Sequence, residues 1–157
     1  MNMRGSNMRG INRRGIAIVL GLVAVVSACG GSSYKGLSKA DYVSQANAIC
    51  KKYSGLADAA GNTLGSNPTE QQVVDAVKSK LVPLFSQELA EIRKLKPPKE
   101  DRATVKTMLD EQQAAINDVS QNTKQFVEAQ GSTALSKKAD ASATAYGLTD
   151  CVNNSSG

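Results

Sequence analysis

The sequence predicts an all-α domain, an up-down four-helix bundle, behind a short basic and apolar N-terminal segment. Three observations carry this. From Leu37 onward, apolar residues recur at spacings of three and four, the period of a helix that buries one stripe. No stretch alternates apolar and polar residues as a half-buried strand does, and no segment repeats. Clusters of Gly, Asn and Pro divide the periodic chain into four parts with short connections, which favour antiparallel neighbours.

The first helix opens at Leu37-Ser38-Lys39-Ala40-Asp41-Tyr42. Ser38 suits the N-cap, Asp41 the position three residues on, and Leu37 staples onto Tyr42. Tyr42, Ala46, Ile49, Tyr53, Leu56 and Ala60 form its apolar stripe, and Gly61, Asn62 and Gly65 end it. The second helix is expected to start with Asn67 as N-cap, Pro68 in the first turn and Glu70 after it. Val73, Val77, Leu81, Phe85, Leu89 and Ile92 carry its inner face. Pro83 lies inside it, removes a backbone donor and predicts a kink or a break. Lys96-Pro97-Pro98 stops the segment. The third helix is expected over 99–130, with Val105, Met108, Leu109, Ala115, Ile116, Val119, Phe126 and Val127 inward and Gly131 at its end. Ser132 is the candidate cap of a fourth, Ala-rich helix over 133–146, whose inner residues are Leu135, Ala139, Ala143 and Tyr146.

Ahead of the domain, Arg4, Arg9, Arg13 and Arg14 precede the uncharged run Ile16 to Ala28. A membrane-spanning helix needs about 20 apolar residues, so this run fits a signal-peptide core better than a span. It ends in Val26-Ser27-Ala28-Cys29-Gly30, which resembles a bacterial lipobox. That resemblance implies cleavage before Cys29 and diacylglycerol on its thiol, with a second acyl chain giving stable anchoring. The expected organisation is a signal peptide at 1–28, a lipidated Cys29 and flexible tether at 29–36, the bundle at 37–152 and a polar tail at 153–157. The expected location is the extracytoplasmic face of the cell membrane.

Charge points the same way. The chain has 19 Lys+Arg against 14 Asp+Glu, a formal +5. Four of the basic residues and none of the acidic ones precede Cys29, which leaves 15 against 14 in the remainder. A nearly neutral domain gives no support to a nucleic-acid partner. One local basic stretch remains: Arg93, Lys94, Lys96, Lys99, Arg102 and Lys106 surround the Pro97-Pro98 turn. It is a candidate contact for anionic headgroups or an acidic partner, although Glu100 and Asp101 interrupt it and a helix corner is commonly charged.

With Cys29 assigned to lipid, Cys50 and Cys151 remain. Two cysteines in an exported domain commonly pair, and a structural bridge is favoured over a redox pair because the two lie far apart in sequence. The start Leu37-Ser38-Lys39-Ala40-Asp41-Tyr42 running into Asn47-Ala48-Ile49-Cys50, and the ending Tyr146-Gly147-Leu148-Thr149-Asp150-Cys151, resemble small helical lipoproteins of actinobacteria. The resemblance implies a helical domain with its two cysteines bridged, and it carries over no active-site residue.

The chain has no His and no Trp. Serine and cysteine triads with His are therefore excluded, as is a His-ligated haem. Carboxylates are the remaining acid–base groups. Glu88 and Glu91 share a helix face and read as solvated, and Asp110 and Asp118 stand two turns apart. Neither a cofactor nor a metal is expected. The leading expectation is a non-enzymatic interaction or assembly module of the envelope, with an unidentified envelope protein as partner. The alternative is a carrier of an apolar, lipid-like ligand, since small alanines against Leu and Val faces, with Pro83 opening the second helix, leave room for a cavity.

Overall fold

The computed structural model describes residues 34–152. The expected signal peptide, Cys29 and the expected polar tail at 153–157 lie outside the described residues. The described chain is helical throughout, with no strand among the described residues.

Helix α1 spans Lys39–Asn62. Its start follows the expected chemistry: Ser38 Oγ accepts the Asp41 N–H at 3.1 Å and donates to the Asp41 carboxylate at 2.6 Å. The buried stripe is Tyr42, Ala46, Cys50 and Tyr53, whereas Leu56 is 44% exposed. The expected stripe advanced 3.5 residues per turn and a straight helix advances 3.6, so the inner face drifts. By the end of the helix Ala57 lines the interior in place of Leu56.

Helix α2, Glu70–Ala76, begins two residues later than expected. Thr69, not Asn67, is its cap. The Thr69 hydroxyl accepts the Gln72 N–H at 3.3 Å, and Gln72 Oε1 accepts the Thr69 N–H at 2.8 Å. This reciprocal box satisfies two orphan donors where Asn67 would satisfy one. A π turn, Val77–Leu81, follows, and α3 resumes over Val82–Ile92 with Pro83 in its first turn. The expected break is thus met as a local widening. The Val82 N–H bonds the carbonyl of Val77, five residues back, just ahead of the residue that lacks a donor.

The single helix expected over 99–130 is two. Residues 98–101 form a turn, with the Asp101 N–H on the Pro98 carbonyl at 3.1 Å, and α4 begins at Arg102 and ends at Gln121. Helix α5 is Thr123–Glu128. The interruption falls where the Thr123 hydroxyl bonds the Val119 carbonyl at 2.7 Å and so competes with the backbone. Helix α6, Ala134–Tyr146, is capped by Thr133 rather than Ser132, in a box with Ser136. That box draws Ser136 inward, to 7% exposure, and turns the expected core residue Leu135 out, to 41%. Gly147 closes α6 at φ 108°, a conformation that favours glycine, and a 3₁₀ turn, Thr149–Cys151, ends the domain.

Helix α1 packs on α3, α3 on α4, α4 on α6, and the 3₁₀ turn on α1 and α6. Tyr42, Ala46, Leu89, Ile92, Val105, Met108, Ala143 and Leu148 meet in the core. The sulfurs of Cys50 and Cys151 stand at disulfide distance, 1.95 Å, with their Cα atoms 4.9 Å apart. Tyr42 and Tyr146 pack edge to face beside them at 5.9 Å. The Tyr42 hydroxyl is buried and has no hydrogen-bond partner among the described residues.

Candidate functional site

A cavity of about 670 Å³ lies between the helices. Phe85 and Leu89 of α3, Met108, Ile116 and Val119 of α4, and Phe126 of α5 supply apolar wall. Leu148, Cys151 and Val152 close one end, at the cysteine pair. Lys51, Ser54, Asp58 and Asp150 also border it and are solvent-exposed, so they mark its mouth. Cavities that hold small ligands commonly have this size and this mixture of apolar wall and few polar groups.

Glu88 is a half-buried carboxylate in this wall. One carboxylate oxygen lies within 4.8 Å of the sulfurs of Cys50 and Cys151. No hydrogen bond or ion pair reaches Glu88 among the described residues. Burial disfavours its charged form and pushes its carboxyl up to about 7. The expectation of a solvated Glu88 is therefore corrected. It sits three residues after Phe85 and four before Ile92, so it enters on the edge of the apolar stripe. That intrusion was readable in the sequence. With the two sulfurs bonded to each other, neither is a thiolate, and the trio does not form a thiolate metal centre in this state.

Glu91, Asp110 and Asp118 do not line this cavity. Glu91 accepts Lys52 Nζ at 3.0 Å and the Tyr53 hydroxyl at 2.9 Å, and these bonds hold its carboxyl below the usual range. Asp110 pairs with Lys106 at 2.5 Å and with Arg93 at 3.7 Å. Asp118 accepts the Asn122 amide at 2.7 Å. No two of these share a proton, so the arrangement offers no paired-carboxylate chemistry among them.

All six residues of the basic stretch are exposed around the corner between α3 and α4. Arg93 donates to the Leu109 carbonyl at 3.3 Å, and the Arg102 guanidinium stacks 4.8 Å over the Tyr34 ring. The segment leading into α1 is fastened to the same corner. Tyr34 donates to the Pro97 carbonyl at 2.7 Å, and the Leu37 N–H bonds the Lys96 carbonyl at 2.9 Å. Gly36 passes so close that a Cβ there would overlap the Pro97 carbonyl oxygen.

No protein-family model, curated protein or solved structure matches this chain. No helix among the described residues is long and apolar enough to cross a membrane.

Proposed function

We propose that this protein is a non-enzymatic envelope lipoprotein, anchored through diacylglycerol on Cys29 to the extracytoplasmic face of the cell membrane, that holds an apolar ligand between its helices. The lipobox and its resemblance to small actinobacterial lipoproteins support the anchor. The antiparallel approach of α1 to α3, seen where Leu37 meets Lys96, supports an up-down bundle as the scaffold. The apolar cavity of about 670 Å³ is the observation that carries the ligand reading.

The cavity favours a carrier over an assembly module. The large apolar side chains exposed among the described residues are few: Tyr34 ahead of α1, Leu56 on α1 and Leu135 on α6. Native mass spectrometry of the lipoprotein taken from its own membrane tests the reading. A bound apolar molecule, lost when Ala115→Trp fills the cavity, is the expected result. An empty protein that also takes up no added alkyl probe would overturn it.

A further inference from the structure

We propose that the cavity selects an amine-bearing amphiphile, whose ammonium group seats on the Glu88 carboxylate while its alkyl part lies along Leu89, Met108 and Ile116. This inference rests on the ligand reading above. Its grounds are geometric. Glu88 is a half-buried carboxylate of the wall with no hydrogen bond or ion pair among the described residues, next to a bridge that supplies no donor, whereas Asp58 and Asp150 are exposed at the mouth. A buried polar group left unpaired is costly, and a ligand that pairs it recovers that cost.

Charge decides the sign of the headgroup. Five ionisable side chains line the cavity. They are Lys51 and Asp58 from α1, Glu88 from α3, Asp140 from α6 and Asp150 from the 3₁₀ turn, so four are acidic. The α4 wall contributes none. An anionic lipid would enter against this excess, and an ammonium enters with it.

The test is a competition in native mass spectrometry on the full chain, with dodecylamine, dodecanol and dodecanoate supplied in equal amounts. The amine is expected to bind best. Its affinity should rise about tenfold from pH 6 to pH 8, because the bound ammonium needs Glu88 ionised. Glu88→Gln should lower amine binding about tenfold, remove that pH dependence and leave dodecanol unchanged. Dodecanoate binding as well as the amine, or an amine affinity indifferent to Glu88→Gln, overturns the headgroup assignment alone. Failure of all three probes overturns the ligand reading itself.

A second inference stands on different residues. We infer that the α3–α4 corner, bearing Lys94, Lys96, Lys99 and Arg102, faces an anionic bilayer. It rests on the anchor at Cys29. Tyr34 and Leu37 pin the incoming chain to this corner, and only five backbone steps separate Tyr34 from Cys29. Fully extended, they span at most about 18 Å. Helix α1, with 24 residues, carries the opposite end of the domain roughly 36 Å away. At that far end Lys80 bonds Thr63 at 2.7 Å and Lys124 pairs with Glu70 at 3.7 Å. Attraction between the corner and anionic headgroups orients the domain within a Debye length of the surface.

Amine acetylation of the full lipidated chain in phosphatidylglycerol or phosphatidylcholine vesicles reads the orientation. Lys94, Lys96 and Lys99 should react several-fold more slowly on phosphatidylglycerol, with high salt restoring them, while Lys80 and Lys124 react equally on both. Equal rates at all five, or protection of Lys80 and Lys124, overturns the assignment. A chain that floats with neither vesicle overturns the anchor instead.

Discussion

Asn47 holds Gly147 through its side-chain amide: Nδ2 donates to the Gly147 carbonyl at 3.1 Å, while Oδ1 of the same amide accepts the Asp150 N–H at 3.1 Å. One side chain of α1 thereby ties down both sides of the turn that leaves α6. Asn47→Ala removes the donor to the part-buried Gly147 carbonyl and the acceptor of the exposed Asp150 N–H, and it should cost about 1–3 kcal/mol in urea denaturation. Asn47→Asp keeps the acceptor and loses the donor, so it should also destabilise. Midpoints within error of the parent for both variants would contradict this.

Tyr42 gives the opposite expectation. Its hydroxyl is buried without a partner, and burial pushes its proton affinity up to about 12. Tyr42→Phe retains the edge-to-face packing on Tyr146 and removes an unsatisfied polar group. It should be neutral or stabilising by about 1 kcal/mol. A clear fall in melting temperature would show that the hydroxyl has a partner in solution.

Glu88 sets a pH dependence with a definite sign. Its carboxyl lies at about 7 in the folded chain against 4.5 when unperturbed, so the fold binds the proton more tightly than the unfolded chain does. The penalty is absent below pH 4.5, grows between 4.5 and 7, and is complete above 7. Glu88→Gln should therefore be more stable than the parent at pH 8, by on the order of 3 kcal/mol, and equal to it near pH 4. Urea melts at the two pH values check this, and a constant difference between the variants would refute it.

Reduction should weaken the domain strongly. A link between residues 101 apart removes loop-closure entropy from the unfolded chain, for which a simple chain estimate gives up to about 4.7 kcal/mol. Melting with and without a reductant measures the effect. Thiol titration that finds both Cys50 and Cys151 free in the native protein would remove its basis.

Cys29→Ala should leave the protein unprocessed or release it from membranes. Fractionation of cells that express the variant reads the outcome, and unchanged membrane retention would contradict lipidation at Cys29.

The sequence carried the helix boundaries best where one residue decides them, as at the start of α1 at Ser38 and the end of α6 at Gly147. It misplaced starts where two candidates stood side by side. Thr69 displaced Asn67, and Thr133 displaced Ser132, because each finds a partner three residues on that completes a reciprocal box. The break at Pro83 was legible; its form as a π turn was not, since that depends on how the preceding carbonyls are satisfied. The split at Asn122 came from a hydroxyl bond of Thr123 that periodicity does not register. Glu88 was visible as a carboxylate on the stripe edge. Its burial depends on how closely α1, α4 and the Cys50–Cys151 link surround α3, and no single helix encodes that.

The Cys50–Cys151 link also decides what a protease leaves behind. Residues 50 to 151 form one covalent ring, and the connections after α1 and around Pro97 lie inside it. A single cut at either place opens the ring without freeing a fragment, and the nicked molecule runs as one species until it is reduced. Only cleavage ahead of Cys50 detaches the ring from Cys29. In the lipid-anchored form proposed above, shedding of the whole domain is thus governed by the short stretch that precedes α1 and by the first turns of α1 itself.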